Sequence, residues 1–347
     1  MSNLRNWIHE HLFSSWISGL LTVIFGWLLI EFGHSFYGWA WRDAAFGTTS
    51  ESCADATGAC WSVIGDFWNI FLVGLYPEDQ RWRPYTALII LGISVAISNI
   101  PSFNRRRILY YLWPLSIITI LILVKGGGFG LEYVPTRLWG GLLITIGLSA
   151  TGLAFGIPLG VLLALGRCSE NYPVIRLLST IFIDLVRSVP FVLVLIIGTI
   201  LLPLFLPSNW DIDLLLRVQI AVVMSAAANS AEIVRGGLAG IGRGQKEAAM
   251  ALGLGYWHTQ CLILLPQALR FMVPVFVSMF IVFLKDTSLV IVVGLFDLLG
   301  TATLVSGNPQ WTGAKIEAYL FVGTLYFLMC FSISQYSRRL EITRTSI

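Results

Sequence analysis

Apolar residues in this chain come in long unbroken runs, not in the alternation of a half-buried strand or the single stripe of a soluble helix. A hydrocarbon layer of about 30 Å takes about 20 helical residues to cross. Residues 12–30 meet that need, 84–100 and 108–124 are shorter but uncharged, and 138–166 form an uncharged run of 29. Then come 188–206, a weaker run from about 214 to 231 interrupted by Arg217, 271–296 with Lys285 and Asp286 inside it, and 318–337. The pattern predicts an all-α polytopic membrane protein with about eight transmembrane helices. Residues 61–76 are too short for a ninth span and carry Asp66, while Trp61, Phe67, Trp68 and Phe71 suit a helix lying in the interface.

An even number of spans puts both termini on one side. With the N-terminus cytoplasmic, fourteen loop arginines and lysines fall inside and seven outside, which is the bias expected of inner-membrane proteins. The first run lacks a small-x-small cleavage site, so a retained first helix is expected rather than a signal peptide. The spans divide the chain into residues 1–130, with three helices and a periplasmic loop over 34–83, and residues 131–347, with five helices and most of the unusual polar residues.

Composition agrees with this class. Of 347 residues 56% are hydrophobic and 12% charged, against roughly 45–50% and about 25% in soluble domains, and the mean hydropathy is +0.78. A net charge of +3 gives no reason to expect nucleic acid as a partner, whereas lipid is one by class. Five cysteines without a CxxC and four scattered histidines offer no metal site. No HExxH, GxSxG or Gly-Lys-Ser/Thr occurs, so neither hydrolysis at a zinc or serine centre nor P-loop ATP hydrolysis is expected of this chain, and no cofactor is implied.

The most specific pattern lies in the inside loop over 236–270. Glu247-Ala248-Ala249, Gly253, Ile263 and Leu265-Pro266 fit EAA-x3-G-x9-I-x-L-P at every fixed position, a coincidence on the order of one in 10⁸ per start for random sequence. The stretch from Glu247 to Leu252 is rich in helix formers, and Gly253 lets the chain turn at the helix end. This resembles the cytoplasmic coupling loop of ABC importer permeases, in which a short helix seats on the ATPase subunit. Trp139-Gly-Gly-Leu142 with Thr145, Gly156-Ile-Pro158, Glu232-Ile-Val-Arg235 and Leu284-Lys-Asp-Thr-Ser-Leu289 look like the polar amino-acid branch. Arg187-Ser-Val-Pro190 departs from that branch's Arg-Gly-Thr-Pro. The longer N-terminal part is similar to the larger permease of general L-amino-acid transporters.

The resemblance implies a type I ABC importer permease core over 131–347, moving L-amino acids from periplasm to cytoplasm in the bacterial inner membrane. It also implies a second related permease, two ATP-binding subunits that use the ATP, and a periplasmic amino-acid-binding protein. The alternative is an ion-coupled secondary amino-acid transporter, in which Asp286 and Glu232 would be ion sites. For the solute, Arg187 can clamp a carboxylate and Asp184 or Asp286 can accept from an ammonium, with Asn229, Thr287 and Ser288 as neutral partners. The competing expectation is that Lys285–Asp286 is a structural pair and that Arg187 only marks the lip of its span. Cys53 and Cys60 fall on the oxidising side, seven positions apart, with only small or short residues between. A disulfide is feasible there, as are two free thiols.

Overall fold

A computed structural model describes residues 2–47, 53, 57–99, 105–169, 172–207, 210, 212–311 and 313–345. Ala54, Asp55 and Ala56 of the expected turn, and the end of the second predicted span at Ile100, lie outside the described residues. Among the described residues there is no strand, only helices and three isolated bridges.

The helices in order are α1 Ser2–Leu12, α2 Trp16–Tyr37, α3 Ser62–Val73, α4 Trp82–Asn99, α5 Arg105–Lys125, α6 Gly141–Arg167, α7 Pro173–Ser188, α8 Phe191–Ile196, α9 Leu202–Leu204, α10 Leu214–Ala239, α11 Arg243–Ala251, α12 Tyr256–His258, α13 Leu265–Asp286, α14 Leu298–Ser306 and α15 Lys315–Thr345. Among the described residues six stretches are long and apolar enough to cross a membrane, or seven if the bent pair Pro173–Ser188 with Phe191–Leu204 is counted as one span. The 18-residue α4, with Trp82 and Arg83 at one end and Asn99 at the other, is less apolar than these. The expected eight is therefore an approximate count.

Three boundaries differ from the sequence reading, each for a local reason. The first span starts at Trp16, because the Ser15 hydroxyl accepts the Ser18 N–H and caps α2, while Thr22 Oγ1 donates to the exposed Leu12 carbonyl at 2.8 Å. The predicted straight span over 188–206 does not form. Val189 is extended (φ −104°, ψ 133°) ahead of Pro190, whose ring disfavours helix at the preceding residue, and the chain turns by 111° between α7 and α9. The expected loop over 236–270 is largely helical: α10 runs to Ala239, and a π-turn over Thr259–Leu264 leads into α13. Pro266 cannot donate to Leu262, so the ladder widens just before it.

Contacts divide the chain into two units. The first comprises Met1–Phe67 and Val305–Leu320. In it Cys60 N–H donates to Glu317 Oε1 at 2.8 Å, Trp311 Nε1 to Asp66 at 3.1 Å, and Trp61 Nε1 to the Ala40 carbonyl at 2.7 Å. Cys53 and Cys60 are joined by a disulfide, with Cα atoms 5.6 Å apart.

The second unit comprises Trp68–Leu304 and Phe321–Ile347. Its centre is the pairing of α6 with α10. Gly152, Gly156 and Gly160 of α6 face Val222, Ala226 and Ser230 of α10, and a Cβ at Gly160 would lie 2.4 Å from that of Ser230. Such close approach is how helices associate in lipid, where apolar contact with a neighbour gains little over contact with acyl chains. Ile144, Leu148, Leu195, Val222, Phe283 and Val290 pack around it. In the same unit Arg83, 1% exposed, donates to the Leu123 and Glu132 carbonyls and to Gln80, and Tyr76 donates to Val124, which ties α4 and α5 to the loop after them. The 12-residue α3 is too short to span, and its Phe71 is fully buried against Phe321 at 5.1 Å, instead of lying open at an interface.

Candidate functional site

The residues of the EAA pattern fold as a compact helical hook. In α11, Glu247 and Ala248 are exposed while Ala249 is buried, so the short helix has one anchored side and one open side. Gly253 N–H bonds to Met250 O and Leu254 N–H to Ala249 O, a Schellman ending that requires a left-handed residue. Gly253 supplies it at φ +74°. Met250 and Leu252 stand 55% and 79% exposed on the open side. Ile263 lies in the π-turn and Leu265-Pro266 open α13, so these three belong to the support of the hook. Gln267 Nε2 joins them, donating to the Ile263 carbonyl at 2.8 Å and reaching Gln245 Oε1 of α11 at 3.5 Å. Tyr256 donates to the Cys168 carbonyl at 3.1 Å, fixing the hook to the end of α6.

Beside it the ends of α6, α7 and α10 share an ion cluster. Glu232 accepts from Arg235 one turn later on α10, and Arg187 and Arg167 reach it at 3.5 and 3.7 Å. Arg167 also pairs with Asp184 at 2.9 Å. Three guanidiniums thus meet two carboxylates. Burial pushes the Cys168 thiol up, against the opposing pull of Arg235, Arg167 and Arg176.

The residues expected along a solute pathway separate into two places. Asp184 and Arg187 belong to this ion cluster. Asn229 donates to the Ser225 carbonyl within α10, and Thr287 to the Leu284 carbonyl where α13 tightens into a 3₁₀ turn that also holds Ser288. Among the described residues no ion pair joins Lys285 to Asp286. The sequence reading missed a buried polar knot nearby. Asp297, fully buried, accepts from Gly300 N–H at 2.8 Å and from Tyr326 Oη at 2.8 Å, while Thr145 accepts the Leu298 N–H at 2.9 Å. An Asp one residue before a helical run is a capping signal that could have flagged it.

A short helix, α11, thus sits between two stretches long and apolar enough to cross a membrane, Leu214–Ala239 and Tyr256–Val293, with a polar cluster beside it, an arrangement that belongs to a polytopic membrane protein of the transport class. Residues 156–342 match the family described as binding-protein-dependent transport system inner membrane component, and the chain belongs to that family. It is 43% identical over 344 residues to the inner membrane amino-acid ABC transporter permease protein YhdY of Escherichia coli K12, covering 96% of this chain and 91% of that one. It is 35% identical to the glutamate/glutamine/aspartate/asparagine transport system permease protein BztC of Rhodobacter capsulatus, covering 96% and 92%. A crystal structure of an amino acid ABC transporter with histidines superposes with a TM-score of 0.52 at 27% identity, covering 60% of this chain and 92% of that one.

Proposed function

We propose that this chain is a transmembrane permease subunit of an ATP-driven importer that passes L-amino acids from periplasm to cytoplasm. The observation that carries it is the α11 hook, with Glu247 and Ala248 open and Gly253 closing the helix, in a chain of the binding-protein-dependent family. The amino-acid class rests on the two relatives that match almost the whole chain. Both termini and α11 would face the cytoplasm, in keeping with the arginine and lysine bias of the loops. The chain would act with a second permease of its kind, two ATP-binding subunits and a periplasmic binding protein, since five helices supply only part of the wall around a solute. Asn229, Asp286, Thr287 and Ser288 are the pathway residues we favour. Asp184 and Arg187 would act where the pathway meets the hook. No observation favours an ion-coupled mechanism. Uptake of labelled amino acids into proteoliposomes decides the matter. The complete complex should need ATP, and uptake by this chain alone on an ion gradient would overturn the reading.

A further inference from the structure

Beside the hook opens a cavity of about 810 Å³ with a divided lining. Arg167, Arg176, Arg235 and Lys246 contribute four cations and, among the described residues, no carboxylate lines it, while Leu177 and Leu238 contribute an apolar side. The carboxylates of Asp184 and Glu232 are shared among Arg167, Arg187 and Arg235, so among the described residues of this cluster two carboxylates face three guanidiniums. Arg176 takes part in no ion pair among the described residues.

The surroundings decide which anion this cavity suits. On α7, Val174, Leu177 and Leu178 are 66%, 59% and 62% exposed, an apolar flank that only acyl chains or another apolar surface can cover. Tyr172 and Trp257 stand as a ring pair 6.4 Å apart close by in the chain, the residue types that collect at headgroup depth. A soluble phosphate would gain nothing from Leu177, whereas a phospholipid would satisfy the guanidiniums with its headgroup and the α7 flank with its chain. Basic pockets between membrane helices on the cytoplasmic side have this character.

We propose that the cavity lined by Arg167, Arg176, Arg235 and Lys246 binds the phosphate headgroup of an anionic phospholipid, with an acyl chain along the exposed face of α7. It would place a membrane lipid directly behind the coupling helix. Its location on the cytoplasmic leaflet rests on the importer reading; the binding itself does not.

The test uses the purified full-length chain in detergent, with lipid retention followed by native mass spectrometry. Phosphatidylglycerol should be retained in preference to phosphatidylcholine. Arg176→Gln, an exposed position, should weaken phosphatidylglycerol retention about fivefold without changing the melting temperature, and Arg176→Lys should restore most of it. Equal retention of the two lipids, or undiminished retention by Arg176→Gln, overturns the proposal. Inorganic phosphate that binds as tightly as phosphatidylglycerol overturns it in favour of a soluble anion. Because retention requires neither ATPase nor transport, failure here leaves the importer reading standing, and failure of uptake leaves the lipid site standing.

Discussion

Glu232 is one carboxylate facing three guanidiniums, Arg167, Arg187 and Arg235. Glu232→Gln keeps the shape and removes the charge, and with it the one acidic partner that Arg235 and Arg187 have among the described residues. The side chain is 25% exposed, so solvent offsets part of the loss, and about 1 kcal/mol is the expected scale. That should lower the melting temperature of the solubilised chain by about 2 °C; an unchanged melting curve would show that the arginines are held by other means. A second test at this scale concerns sulfur. Cys168, Cys261 and Cys330 are free and Cys53 is bonded to Cys60, so alkylation of the denatured, unreduced protein should modify three thiols. Five modified thiols would remove the bridge.

On the proposed coupling role, helix α11 would act through its shape and its exposed charges, of which Glu247 is the acidic one. Glu247→Lys reverses that charge on the open side, and Gly253→Val forces a β-branched residue into a left-handed turn at a cost of about 1–2 kcal/mol. Both variants should insert normally yet lose substrate-stimulated ATP hydrolysis in the assembled complex; full stimulation in both would sink the coupling role. The α6–α10 pair makes the opposite demand. Gly160→Leu has no space beside Ser230 and Ala227 and should prevent stable folding, read as loss of monodisperse protein on solubilisation. How legible each element was in the sequence follows from where its determinants lie. Gly253 and the Glu247–Ala249 run act locally, and their spacing alone announced the hook. Pro190 was equally visible, but hydropathy sums over a window and is blind to direction, so one apolar run concealed a 111° turn. Glu232 and Asp297 draw their importance from partners on other helices, Arg167 and Tyr326 among them, which no local pattern encodes.

For the molecule as a whole, the family match begins at residue 156 and leaves the first helices outside it. Within the first unit, Glu317 and Asp66 accept from Cys60 and Trp311, so the N-terminal helices support groups near the start of α15. A chain beginning at residue 131 should still insert but melt several degrees lower, because Glu317 and Trp311 lose the hydrogen bonds from Cys60 and to Asp66, and Trp311 also loses its ring contact with Phe67; equal melting would mean that these contacts carry no stability. The bond between Cys53 and Cys60 has a further consequence, one of history. A cytoplasm kept reducing by glutathione does not make such a bond, so on the topology proposed above a molecule carrying it would already have delivered the segment between α2 and α4 to the periplasmic side. On that topology each oxidised copy would be dated as exported, and the ratio of oxidised to reduced chains in a growing cell would read out how promptly newly made copies reach their final topology.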